Sequence, residues 1–231
     1  MFGATSDIGW AILENIPLTQ NSEIVLVGKT CNPPASIQRF QRHSFHLMDL
    51  ENTEDIAAVI SRLPTEGNID LVIVAAGYLP QEHQDLNFTS LEKVLRINAL
   101  GIPLIVSSIV HKLQHQPQTQ ILLISSIAVV RPRLMNFSYS ASKECADFFC
   151  RGLSRKYRES GIDLRILRPG FVFTKMTAGL NPAPFATTTK KLSRVAIFGL
   201  AGKRKVFYAP RFLWILVPII KFLPSRLLDK L

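Results

Sequence analysis

Residues 121–143, ILLISSIAVVRPRLMNFSYSASK, decide how this chain is read. Ile121, Leu122, Leu123 and Ile124 form an unbroken apolar run, the pattern of a strand buried on both faces of a parallel sheet, and it ends at Ser125 and Ser126. From Tyr139 to about Ser160 the pattern is helical. Residues four apart share a helix face, so Tyr139 and Lys143 point the same way. A free phenol titrates near pH ~10, and an adjacent ammonium favours the phenolate. That pairing lets Tyr139 exchange a proton with an alcohol or ketone near neutral pH. Ser126, at the carboxyl end of the strand, is placed to hold the substrate oxygen. The Tyr–Lys spacing alone is a weak motif, and Ser126 alone reads equally as a strand cap or a buried hydroxyl.

Working outward, the amino terminus supplies a second motif. Gly3-Ala4-Thr5-Ser6-Asp7-Ile8-Gly9 opens a helical pattern, Trp10-Ala11-Ile12-Leu13. A glycine-bearing turn at a helix amino terminus is where doubly wound folds receive a pyrophosphate, although unliganded helices use the same residue types as caps. Further strands are expected at residues 23–27 (EIVLV), 44–48, 70–74 (DLVIV) and 164–167, with helices at 53–63 and from about Thr89. Strands alternating with helices imply one α/β domain spanning residues 1–231, a three-layer, Rossmann-like, doubly wound parallel sheet.

Together these motifs resemble the short-chain dehydrogenase/reductase family, over most of the chain. The family's turn has three glycines; Gly3 and Gly9 match the first and last, and Asp7 replaces the middle one. The family also buries a first strand in the centre of the sheet, whereas only Met1 and Phe2 precede Gly3. The expectation is therefore that the true start lies upstream, and that a chain beginning at Met1 leaves two strand edges unpaired. The resemblance implies an NAD(P)-dependent oxidoreductase. Its cofactor would be gripped by Gly3, Thr5, Ser6, Asp7, Ile8 and Gly9, by Asp49 and Leu50 beside the adenine, and by Ala75, Ala76 and Gly77, which stand where the family has Asn-Asn-Ala-Gly. Pro169, Gly170, Val172 and Thr174 would contact the nicotinamide side. Ser126 would bind the ketone oxygen and Tyr139 donate the proton, re-supplied through Lys143 and Asn98, with Tyr139 and Lys143 also touching the cofactor. Asn98, in a plain reading, is a solvated or kink-forming residue within a helix. Residues 28–30, Gly-Lys-Thr, hold no acid to repel a 2′-phosphate, so Lys29 leans mildly towards NADPH.

Charge is unevenly spread. Residues 1–174 hold 16 Lys and Arg against 16 Asp and Glu, whereas 175–231 hold 11 against one, Asp229, and so carry the whole net charge of +10. Residues 212–220, FLWILVPII, are flanked by Arg211 and Lys221 and followed by Phe222, Leu223, Leu227 and Leu228 among Arg226 and Lys230. Nine apolar residues are too few for the ~20 that span a bilayer. Mixed with basic residues and with Trp214 as an anchor, they suit a membrane interface. A dimer contact or a lid packed on the core is the alternative. Nucleic acid is not expected, because no aromatic residues are interleaved along a basic groove. The segment 175–231 thus reads as a basic substrate lid and membrane-facing tail. Three cysteines, Cys31, Cys145 and Cys150, show no metal-ligand spacing, and no metal is expected. The odd count suits a reducing compartment, and no signal peptide is visible, so the location expected is cytoplasmic with peripheral membrane association.

A closer resemblance rests on Asp7 in the 3–9 turn, Asn136-Phe137-Ser138-Tyr139, Arg168-Pro169-Gly170, Tyr208-Ala209-Pro210 and Phe222-Leu223-Pro224-Ser225-Arg226. These resemble the actinobacterial decaprenylphosphoryl-2-keto-ribose reductases. That likeness implies reduction of a keto-sugar on a polyprenyl phosphate for cell-wall arabinan synthesis, with NADH favoured, a flavin-dependent oxidase as partner, and a homo-oligomer as the family's usual state. Other readings are a reductase of another lipophilic ketone and a non-catalytic, membrane-associated cofactor-binding module.

Overall fold

The computed structural model describes residues 1–19, 21–64, 68–80, 87–116, 118–132 and 134–224. Its elements run in chain order as α1 (Asp7–Leu13), β1 (Glu23–Gly28), β2 (Arg42–Leu47), α2 (Thr53–Arg62), β3 (Leu71–Val74), α3 (Phe88–Val94), α4 (Ile102–Leu113), β4 (Thr119–Ile124), α5 (Phe137–Lys156), β5 (Ile162–Pro169), β6 (Val172–Phe173), β7 (Thr187–Thr188), α6 (Thr189–Ala201), β8 (Val206–Ala209) and α7 (Leu213–Phe222). The parallel pairs β1–β2, β3–β4, β4–β5 and β5–β8 build the main sheet, and β6 and β7 form a small parallel pair beside it.

Phe2 joins the two parts of the sheet. It bridges Val27 on one side and Val74 on the other, with its N–H donating to the Ile73 carbonyl (2.8 Å) and its own carbonyl accepting from Ala75 N–H (2.9 Å). Val27 N–H donates to the Met1 carbonyl and Gly3 N–H to that of Val27, both at 2.9 Å. The expected open edges are therefore occupied at their carboxyl ends, next to the site. Backbone groups so close to the core cost ~1–3 kcal/mol each when buried unpaired, so each of these bonds removes such a cost at the strand ends.

The apolar run of β4 is buried on both faces, as its composition requires. Ile121 and Leu123 enter a core with Ile56 and Ile60 of α2, Ile105 and Ile109 of α4 and Cys150 of α5. Leu122 and Ile124 face the other way, into a core with Ile12 of α1 and Leu192, Ala196 and Leu200 of α6. Helix α2 starts where Asn52 accepts the N–H groups of Glu54 (3.0 Å) and Asp55 (3.3 Å), and it buries Ile56, Val59 and Ile60 at helical spacing. The helical stretch Phe88–Leu113 is long and apolar enough to cross a membrane, but 56% of its most apolar window is buried, because it is the helix that covers the sheet. Its middle, Leu95–Gly101, widens into a π-turn centred on Asn98. Such turns recur at functional sites, and here the widening replaces the kink expected of Asn98.

The strands of the first 170 residues lie within a few positions of those expected. Beyond them lie α6, β8 and a regular helix through Pro218, which the residue pattern does not predict. The tail residues Ser225, Arg226, Leu227, Leu228 and Lys230 lie outside the described residues.

Candidate active site

A cleft of about 1050 Å³ opens over the carboxyl ends of the strands, where ligands of doubly wound sheets bind. The expected residues Gly3, Thr5, Ser6, Asp7, Ile8, Lys29, Asp49, Leu50, Ala75, Ala76, Gly77, Ser126, Tyr139, Lys143, Pro169, Gly170, Val172 and Thr174 all line it. Gly3 adopts φ 89°, and a Cβ there would fall 2.7 Å from the Ala76 nitrogen, so only glycine lets the turn pass this close to β3. Gly9 differs from expectation, since it is buried and outside the lining. A Cβ on it would meet the Met1 sulfur at 2.8 Å and Ala75 Cβ at 3.1 Å, so Gly9 brings α1 against the sheet. Ser6 caps α1, its hydroxyl accepting Gly9 N–H at 3.2 Å.

The Ser126 hydroxyl lies close enough to the Tyr139 phenol to pull its pKa down, and Ser126 Oγ accepts Ala128 N–H at 3.1 Å. One turn along α5, Lys143 is buried, with Nζ 6.0 Å from the centre of the Tyr139 ring and 3.3 Å from the Ile124 carbonyl. The two residues share a helix face, but the charge effect runs against the sequence reading. Burial pushes the Tyr139 phenol up to about 12, against the pull of Ser126, and it lowers the Lys143 ammonium to about 8, against the attraction of Asp147. In this desolvated pocket burial outweighs the ammonium, so Tyr139 is a neutral phenol at neutral pH, the form that can donate a proton. Asn98 is fully buried outside the cleft lining. Its Oδ1 accepts Tyr78 N–H (2.9 Å), and its Nδ2 donates to the Tyr78 carbonyl (2.8 Å) and to Ser142 Oγ (3.0 Å). That clamp fixes the chain next to Gly77, where any Cβ would stand 2.8 Å from Lys143 Nζ.

Asp147, four residues beyond Lys143, escaped the sequence reading although the helical period was its signal. Its carboxylate is completely buried and accepts from Ser125 Oγ (2.6 Å), Arg151 Nε (2.9 Å) and both Nε (2.9 Å) and Nη2 (2.5 Å) of Arg168. Burial alone would raise this carboxyl, but Arg168, Ser125 and Arg151 hold it below its ordinary value. Arg168 in turn donates to the Tyr208 hydroxyl at 3.0 Å.

At the far end of the cleft, Lys29 is paired with Asp49 (2.8 Å) and Glu51 (3.1 Å). Hydrogen bonds that Lys29 donates to these two acids raise its pKa, so the cation expected to welcome a phosphate is already paired. Asp7 reaches over to the segment after β6, where its carboxylate accepts Lys175 N–H at 2.7 Å and lies 3.5 Å from Lys175 Nζ. The carboxylate that replaces the middle glycine therefore fastens two walls of the cleft. Thr174 is engaged with Thr177, whose hydroxyl accepts Thr174 N–H at 3.0 Å.

The remaining wall is apolar and comes from the carboxyl-terminal region: Leu180, Pro182, Phe185, and Leu213, Leu216 and Ile220 of α7. Arg131 ties this helix down by donating to the carbonyls of Ile220 (3.4 Å) and Leu223. Lys203, Arg204 and Lys205 do not line the cleft; Lys205 pairs with Asp163 at 2.6 Å, and Arg204 lies over the Trp214 ring at 5.1 Å. Among the described residues, no cluster of His, Cys, Asp and Glu could hold a metal.

A doubly wound sheet with this cleft and a Ser–Tyr–Lys set in its lining is the arrangement of a nucleotide-dependent oxidoreductase. The model of the short chain dehydrogenase family matches residues 1–184, and the chain belongs to that family of NAD(P)-dependent oxidoreductases. An uncharacterized oxidoreductase of Mycobacterium tuberculosis is 24% identical over 239 aligned positions, covering 100% of this chain and 93% of the relative. A short chain dehydrogenase from Burkholderia cenocepacia in complex with NADP superposes with a TM-score of 0.81 at 19% identity, covering 98% of this chain and 95% of the other. A short-chain dehydrogenase from Sphingobium yanoikuyae in complex with NADPH does so with 0.81 at 21%, covering 94% and 91%.

The residues present fit a nicotinamide dinucleotide. The 3–9 turn, Asp49 and Leu50, the 75–77 segment and the 169–174 turn would hold it along a groove whose walls approach one another only because Gly3 and Gly77 carry no side chain. When bound, the group supplies hydride.

Proposed function

We propose that the chain reduces the ketone of a sugar carried on a polyprenyl phosphate, with NADH as reductant. Ser126 holds the ketone oxygen, Tyr139 gives it a proton, and Lys143 and Asn98 restore that proton from the site's interior. Asn98 serves that relay by clamping Tyr78 and so fixing Gly77 against Lys143. The observation that carries the reading is the apolar wall of Leu213, Leu216 and Ile220, which lines the same cleft as Ser126 and Tyr139 and offers a lipid chain a place within it. The Lys29–Asp49–Glu51 group supports NADH, since a 2′-phosphate would meet two carboxylates there.

The second reading, reduction of a neutral lipophilic ketone, is favoured by the absence of any Lys or Arg from the 180–185 and 213–223 portions of the cleft wall. Single-turnover oxidation of NADH and NADPH, with a polyprenyl-phosphoryl keto-pentose and with neutral long-chain ketones, separates the two. Tyr139→Phe should slow turnover by about 10²–10⁴-fold while cofactor affinity holds. Near-normal turnover in that variant would remove Tyr139 from its role. Hydride transfer to neutral ketones alone would overturn the phosphorylated substrate.

A further inference from the structure

Helix α7 is apolar on both sides. Leu213, Leu216, Ile219 and Ile220 line the cleft, whereas Trp214, Ile215 and Phe222, outside its lining, are 51%, 55% and 86% exposed, and Lys221 is the only polar residue of the ten. A helix that is hydrophobic all round belongs in an apolar surrounding, and large exposed apolar patches mark interaction sites. The patch continues beyond the helix, because Phe185 packs edge-on against Phe212 at 5.1 Å and Arg211 lies 4.3 Å over the ring of Phe198.

The rim of the patch selects the partner. On α6, Lys190, Arg194 and Phe198 follow one another at a spacing of four and are all exposed, so one face presents two cations and an aromatic ring. Arg204 rests on Trp214 and Arg211 on Phe198, each placing a guanidinium beside an exposed indole or phenyl. Residues 175–224 contain nine Lys and Arg and no Asp or Glu. A second copy of this chain would bring the same cations against themselves, since a twofold interface juxtaposes one patch with its own image. Aromatic and aliphatic groups ringed by cations match instead the boundary between anionic headgroups and acyl chains.

We propose that the α6–α7 face docks on an anionic lipid surface, with α7 as a wall shared between the bilayer and the substrate cleft. A lipophilic ketone then reaches Ser126 and Tyr139 from the bilayer side without crossing water. Docking itself does not depend on which ketone is reduced, so its test stands apart from turnover.

The test uses the full chain and two kinds of vesicle, phosphatidylcholine alone and an equimolar mixture with phosphatidylglycerol. Of the two tryptophans Trp10 is buried, so the emission change reports Trp214. Mixed vesicles should sediment the protein and shift its emission to the blue, the choline vesicles far less. Lys190→Gln with Arg194→Gln should weaken binding about fivefold per charge removed. Ile215→Ser with Phe222→Ser should abolish the blue shift while the thermal midpoint stays within about 2 °C, as befits exposed positions. Equal binding to both vesicles, or sedimentation without an emission shift, overturns the proposal. So does a lipid-independent dimer that Ile215→Ser with Phe222→Ser dissociates, in a protein that ignores vesicles; the face would then belong to a second copy.

Discussion

Replacing Lys143 by methionine should make this protein more stable while disabling it. The ammonium is buried, and its pKa falls from 10.5 to about 8. At 1.36 kcal/mol per pH unit, that drop corresponds to about 3 kcal/mol which the native state gives up at neutral pH to keep the charge. Its bonds to the carbonyls of Ala76 (3.5 Å) and Ile124 (3.3 Å) are long and offset little of this. Methionine fills the same volume without charge, and allowing about 1 kcal/mol for those carbonyls, Lys143→Met should gain about 2 kcal/mol at pH 7. That is about 4–8 °C in the thermal midpoint for a chain of this size. The sign follows from linkage. The native pKa lies below the unfolded one, so between pH 8 and 10.5 the unfolded chain binds more protons, and wild-type stability rises with pH across that window. The variant has no such rise, and its advantage should vanish by pH 10.5. Cys150 and Tyr139 titrate in both proteins and cancel in the difference. Urea unfolding of both, free of cofactor, at pH 7 and 10.5 is the assay. A variant no more stable than wild type at pH 7 would refute the reasoning.

Three further outcomes are expected. Gly3→Ala puts a Cβ 2.7 Å from the Ala76 nitrogen at a φ of 89°, so it should cost about 2 kcal/mol or more and weaken cofactor binding, read by calorimetry and fluorescence titration. Asp147→Asn leaves Arg168 without its carboxylate and should cost about 3–5 kcal/mol at pH 7. Because the native Asp147 pKa is depressed, this contribution is present above the unfolded value of 3.8 and lost as pH falls through the native one, so the gap to wild type should close in acid. Glu51→Gln frees Lys29 from one of its two acids and should raise NADPH affinity relative to NADH several-fold; an unchanged ratio would show that the pair does not govern the choice.

Much of this was legible because the signals are local. Four apolar residues before Ser125 announce a doubly buried strand, and Tyr139 and Lys143 reveal a shared helix face by spacing alone. What escaped depended on distant partners. No pattern near Asp7 shows that its carboxylate meets Lys175, and Lys29 reads as a free cation until folding brings Asp49 and Glu51 to it. The Tyr139 pKa was misread for the same reason: proximity of an ammonium is visible in spacing, whereas burial is a property of the whole fold. Helix α6 and strand β8 are weakly marked in the sequence, because their boundary residues, Thr188 and Gly202, sit among basic residues and β8 is only four residues long.

The buried carboxylate of Asp147 also has a geometric meaning. Each chain segment it grips ends beside a residue of the site. Ser125 precedes Ser126, Arg168 precedes the Pro169-Gly170 turn, and Asp147 stands one helical turn from Lys143. Three parts delivered by β4, β5 and α5 are thus measured from one datum, as a machinist locates several holes from a single reference edge. Thermal motion that shifts the sheet as a whole carries all three together, so the distances between them vary less than the position of any one.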